Sequence, residues 1–140
     1  MQGLPPLCPV SRVLSVILAV LLAPQAGHSA QSPRMLRIEM TEFRFRPALI
    51  RLTSGQPVRL LLVNQGQIAH QFVTDYLRTV AVTVVDATMH VESSGLDIVR
   101  LEPGAMASIE FLPRSKGRFP FACTIEGHRE AGMVGVLEVR

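Results

Sequence analysis

The segment Cys123-Thr-Ile-Glu-Gly127-His128-Arg-Glu-Ala-Gly132-Met133 puts a thiol, an imidazole and a thioether on one short loop, at the spacing Cys-x4-His-x4-Met. Gly127 and Gly132 directly precede His128 and Met133, and Gly135 follows closely. That punctuation suits a backbone wrapped around a small object. A second imidazole is available upstream at His70, in Asn64-Gln-Gly-Gln-Ile-Ala-His70-Gln-Phe72. Two His, one Cys and one Met become a single donor set only in a fold that brings these distant segments together.

Each donor has a chemical reason to be in such a set. Thiolate and thioether favour Cu(I), imidazole serves either oxidation state, and a trigonal His2Cys arrangement with a weak axial Met is the pattern of an electron-transfer copper site. Zinc would account for His70, Cys123 and His128, but a Met lies outside its usual Cys, His and carboxylate repertoire. Magnesium and calcium want oxygen donors. Taken singly, each residue has an ordinary reading: a buried free Cys, a Met filling a gap in the core, a His satisfied by a hydrogen bond. Their co-occurrence around the glycines favours the metal.

The rest of the chain reads as strands and turns. Residues 35–40 alternate apolar and charged side chains, and residues 58–63, apolar but for Arg59, follow Gly55-Gln-Pro57. Further strands are predicted at 68–74, 79–85, 96–101, 107–112, 118–122 and 134–139, with a helical turn possible at 75–78. Short strands at this spacing, separated by Gly and Pro, predict an all-β fold, an antiparallel Greek-key β-sandwich in one domain. His70 near the start of one core strand and Cys123 at the end of another would then meet at one end of the sandwich. Ile68, Phe72, Phe121, Ile125 and Met133 are the neighbours expected to keep water out.

At these residues the chain resembles the cupredoxins, the small type 1 blue-copper proteins. The stretch from Phe119 to Val139 is similar to their C-terminal half, and Cys-x4-His-x4-Met with Gly before His and Met is especially similar to rusticyanin and auracyanin. Glu42-Phe43-Arg-Phe45-Arg-Pro47, Leu52-Thr-Ser-Gly55-Gln-Pro57, Asn64 to His70 and Leu101-Glu-Pro103-Gly104 extend the likeness over about residues 36 to 140. The resemblance implies one copper ion held by His70, Cys123, His128 and Met133, with His128 nearest the surface. Two features depart from the pattern. Many cupredoxins carry Asn or Ser directly after the first His, where this chain has Gln71, and the segment from Thr74 to Arg100 is longer than a minimal member needs.

Residues 1–33 contain no acidic residue, one basic residue at Arg12, and then the apolar run from Val13 to Ala23. This is the pattern of a secretory signal peptide, too short for a comfortable membrane span. The expected organisation is a signal peptide at 1–30, a short linker at 31–35 and a copper-binding domain at 36–140. Of the two cysteines, Cys8 precedes the apolar run and would leave with the signal, so the exported domain keeps one thiol and closes no internal disulfide. Metal ligation gives that thiol a purpose. The formal charge of +3 is small, and the Arg residues are scattered without interleaved aromatics, which argues against a nucleic-acid partner.

These readings lead to an exported monomer, periplasmic or extracellular, that is not an enzyme and carries one electron at a time between protein partners, a cytochrome or a copper enzyme. The alternative is a copper-binding protein for storage or delivery. Release from two imidazoles and a thiolate embedded in a preformed sandwich would be slow, which favours the carrier. An oxidase is a weaker third reading, since all four donors are engaged and no second His cluster is available. His90, in Thr88-Met89-His90, is read as a solvent-exposed loop residue, because one Met-His pair offers too few ligands for a second ion.

Overall fold

Strand β4 (Val58–Asn64) alternates buried and half-buried residues over its first half and is buried throughout its last three. That change marks the direction of the fold, from an ordinary sheet toward an enclosed end. In the computed structural model, which describes residues 31–140, eleven strands surround a core of apolar side chains. The expected signal peptide lies outside the described residues. Among the described residues no helix is long and apolar enough to cross a membrane.

One sheet has six strands in the order β2 (Arg44–Arg46), β1 (Arg34–Thr41), β4, β9 (Met106–Phe111), β6 (Val82–Val85) and β7 (His90–Ser93). A second has β10 (Gly117–Ala122), β11 (Val134–Val139) and β3 (Leu49–Leu52), and β5 (His70–Phe72) pairs with β8 (Val99–Leu101). Ile38, Leu60, Leu62 and Ile109 from the first sheet and Leu52, Phe121 and Leu137 from the second are all 3 % exposed or less. Burying each such side chain contributes about 1.5–3 kcal/mol.

The all-β architecture is as expected, but β2, β3 and β7 lie outside the predicted strands and the pairing is not wholly antiparallel. β1 runs parallel to β4 and β11 runs parallel to β3, so the sheets are mixed. The chain leaves the first sheet after β2, adds β3 to the second and returns as β4, so it re-enters beside β1 in the same direction. The first strand also starts at Arg34, within the expected linker.

The long segment from Thr74 to Arg100 is part of the body of the fold. It opens with a 3-10 turn, Asp75–Thr79, capped by Thr74. Tyr76 and Leu77 from that turn enter the core, where the Tyr76 ring lies 4.5 Å from Phe119. The β6–β7 hairpin then extends the large sheet beyond β9.

Candidate metal centre

Three pairings converge at one end of the sandwich. Asn64 closes β4, and its Nδ2 donates to the carbonyls of Ile68 (2.8 Å) and Leu101 (2.9 Å) while its Oδ1 accepts from the Gly66 N–H (2.9 Å). One fully buried side chain thus shapes the loop that leads into β5. His70 pairs with Leu101 across β5 and β8. Val73, just beyond β5, exchanges both backbone hydrogen bonds with Ala122 at the end of β10. This bridge is what brings His70 to Cys123.

From Cys123 the loop closes on itself. The Cys123 N–H donates to the Met133 carbonyl (3.1 Å) and the Met133 N–H to the His128 carbonyl (2.9 Å). Gly127 and Gly132 adopt φ of 78° and 100°, values that glycine alone reaches without strain. Gly135 has a different reason. A Cβ there would strike the Phe121 ring and approach the Ala48 carbonyl oxygen to 2.6 Å, so β11 passes too close to its neighbours for a side chain.

His70, Cys123 and His128 offer donor atoms that all lie within 4.8 Å of one another. Cys123 Sγ is 3.3 Å from His128 Nδ1, and the two imidazole centroids are 5.3 Å apart. Donors about 2.0–2.3 Å from one first-row ion stand roughly 3.5 Å apart. Both nitrogens of His70 are buried without a hydrogen-bond partner, the condition of an imidazole awaiting a ligand. His70, Cys123 and Met133 have no exposed surface, and His128 keeps 6 %. Met133 is therefore buried on the loop that carries His128. An oxygen-seeking cation finds little here, whereas thiolate, imidazole and thioether together fit copper. Burial holds the His70 imidazole below its usual pKa, His128 adds to this and Glu42 opposes it. The neutral form needed by a metal is favoured.

The neighbours divide more sharply than expected. Phe72 and Phe121 are buried, with ring centroids 4.9 Å apart and planes tilted by 34°, and Phe45 completes the cluster at 5.9 and 5.0 Å. Ile125 is partly buried, but Ile68 is 42 % exposed and does not seal the site. Gln71, the departure after His70, takes a supporting role of its own. Its backbone N–H donates to Cys123 Sγ (3.3 Å), and its side-chain Oε1 accepts from Thr124 Oγ1 (2.6 Å). His90 sits on exposed β7, with Nε2 3.8 Å from Glu92 Oε1, outside the metal-ligating cluster.

Two residues were given no role by sequence reasoning. Phe43 stands edge-on to His128, with centroids 5.1 Å apart and planes at 87°. Glu42 lies against the Gly66–Gln67 loop beside His70. The available signal was a large apolar residue next to an acid in a turn between two strands.

The model of the cupredoxin-like domain family matches residues 12–136. The chain belongs to that family. A copper-resistant cuproprotein, CopI, from Rubrivivax gelatinosus is 35 % identical over 117 residues, which span 81 % of this chain and 71 % of that protein. Among solved structures, auracyanin B superposes with a TM-score of 0.55 at 20 % identity, over 76 % of this chain and 88 % of its own. A laccase from Pediococcus acidilactici gives 0.62 at 18 % identity, but this chain spans only 27 % of it. The likeness to both structures is one of fold.

Proposed function

We propose that this cupredoxin would hold one copper ion through His70, Cys123, His128 and Met133, and works outside the cytoplasm as a one-electron carrier. The observation that carries this reading is a preassembled donor set with a single opening. His70, Cys123 and Met133 have no exposed surface, and His128 alone of the four keeps any, at 6 %. Copper bound there would supply a Cu(II)/Cu(I) couple for one-electron exchange with protein partners.

The protein's own part is to hold the donors still. The bridge at Val73 and Ala122 fixes the strands beneath His70 and Cys123, and the Gln71 N–H lends a hydrogen bond to the sulfur. Such bonds orient the ligands and tune the potential. Electrons would enter and leave by the His128 edge, where the protein partner docks, the carrier itself remaining a monomer.

The names of the CopI relatives favour a setting in copper resistance, and with it a second reading, storage or delivery of the ion. The two readings part on release. Voltammetry of the copper-loaded protein in the presence of a Cu(I) chelator should give a reversible one-electron couple with the copper retained. Rapid, complete loss of copper to the chelator at neutral pH would overturn the carrier in favour of delivery.

A further inference from the structure

Glu42 and Phe43 are consecutive residues in the turn between β1 and β2, yet each approaches a different imidazole. The Phe43 ring braces His128 at 5.1 Å, edge to face, and remains 43 % exposed. Glu42 Oε1 and His70 Nε2 lie 2.7 and 2.8 Å from the point a Gly66 Cβ would occupy, with Asn64 Oδ1 at 3.2 Å from it. The carboxylate oxygen and the ring nitrogen therefore stand no more than about 5.5 Å apart, within the reach of a bridge through one water.

The backbone explains how neighbours in sequence reach both ligands. Phe43 has φ of 58°, in the left-handed region where a bulky residue is uncommon and held only by its surroundings. The Glu42 carboxylate is anchored meanwhile by the Gln67 N–H. His70 supplies the chemical need. A neutral imidazole that binds a metal through one nitrogen carries its proton on the other. Both His70 nitrogens are fully buried and unpartnered, so the proton-bearing one lacks an acceptor.

We infer that the Glu42–Phe43 turn is a positioning clamp on both imidazoles: the Glu42 carboxylate accepts a hydrogen bond from the His70 Nε2–H through one water, and the Phe43 ring braces His128. The inference rests on the copper assignment for its redox consequences, but not for its effect on the metal-free protein.

Two variants test it. Glu42→Gln keeps an oxygen for the Gln67 N–H and removes only the charge, so a purely structural role would leave the potential where it was. The clamp predicts Cu(II) bound about 10-fold more weakly relative to Cu(I), a rise in potential of about 59 mV for a one-electron couple. An unchanged potential overturns the Glu42 half. Phe43→Gly relieves the left-handed backbone while uncovering His128. The metal-free protein should melt no lower than wild type, copper should pass to a chelator about 10-fold faster, and Phe43→Leu should restore part of the retention. Unchanged copper loss, or a melting temperature that falls in the metal-free protein, overturns the Phe43 half. Nitrogen-15 NMR of the metal-free protein adds a readout independent of copper. His70 should carry its proton on Nε2 in wild type and lose that preference in Glu42→Ala; the Nδ1 tautomer in wild type contradicts the clamp.

Discussion

The two ends of the sandwich are built on opposite rules. At the end away from the donors, ordinary turns satisfy themselves: Gly55 N–H meets the Pro113 carbonyl, Ser54 Oγ meets the Arg114 carbonyl, and Arg140 N–H meets the Leu52 carbonyl. Glu138, near the end of β11, is ringed by Arg51, Arg118 and Arg140. At the other end a buried imidazole has no partner on either nitrogen, and a phenylalanine holds a left-handed backbone angle. Buried polar atoms left unmatched cost about 1–3 kcal/mol each. The contrast shows where stability has been given up in favour of a ligand, and it separates the mutations that should alter function from those that should not.

The largest break in that contrast comes from the sulfur. Cys123→Ser should abolish both the thiolate-to-copper band and the reversible couple while far-UV circular dichroism still reports a folded sandwich; a variant that keeps both signals removes Cys123 from the site. Gly66→Ala comes next. Its new Cβ would sit 2.8 Å from His70 Nε2 and 2.7 Å from Glu42 Oε1, so the imidazole or the loop must move. About 10-fold weaker copper binding, measured by chelator competition, is the expected result. Met133→Gln should retain copper and lower the potential, since an axial thioether is a long, weak ligand that tunes more than it binds. An unchanged potential in voltammetry would make Met133 a core residue alone.

The far end supplies the smallest effect. Arg51→Glu should leave the absorption spectrum and the rate of electron exchange unaltered at moderate salt, and change stability by no more than about 1 kcal/mol. Its trace should be in the pH dependence. Burial works to raise the Glu138 pKa, but Arg140, Arg118 and Arg51 together hold it below the usual carboxylate value of 4.5. A carboxyl with a lowered folded pKa binds fewer protons folded than unfolded, so its stabilisation is present above pH 4.5 and fades as acid titrates the folded group. Acid unfolding of Arg51→Glu should show less of that fading than wild type. By contrast Ala131→Glu, on the exposed part of the ligand loop, should slow exchange with a protein partner and spare the spectrum.

How far the sequence could be read follows the same division. The loop from Cys123 to Met133 carries its chemistry in residue types and its geometry in Gly127 and Gly132, so both were legible. His70 was legible because Asn64 and its glycine mark a turn before a strand. Strand β2 was not, since Arg44-Phe45-Arg46 buries a single side chain and offers no period. β3 alternates over only four residues, and β7 has no buried residue to produce a pattern. The parallel pairing of β1 with β4 depends on where the chain goes between them, which no local signal encodes. Glu42 and Phe43 were hidden for a related reason. Their role lies in a backbone angle that phenylalanine rarely adopts, and that angle exists only because the surrounding fold imposes it.

The proposed site would have His70, Cys123, His128 and Met133 close around one copper ion. The absorption spectrum of the purified protein after addition of one equivalent of Cu(II) tests this most directly. An intense thiolate-to-copper band in the visible that saturates at one copper per chain is the predicted result; a colourless or weakly absorbing complex at the same loading would contradict it.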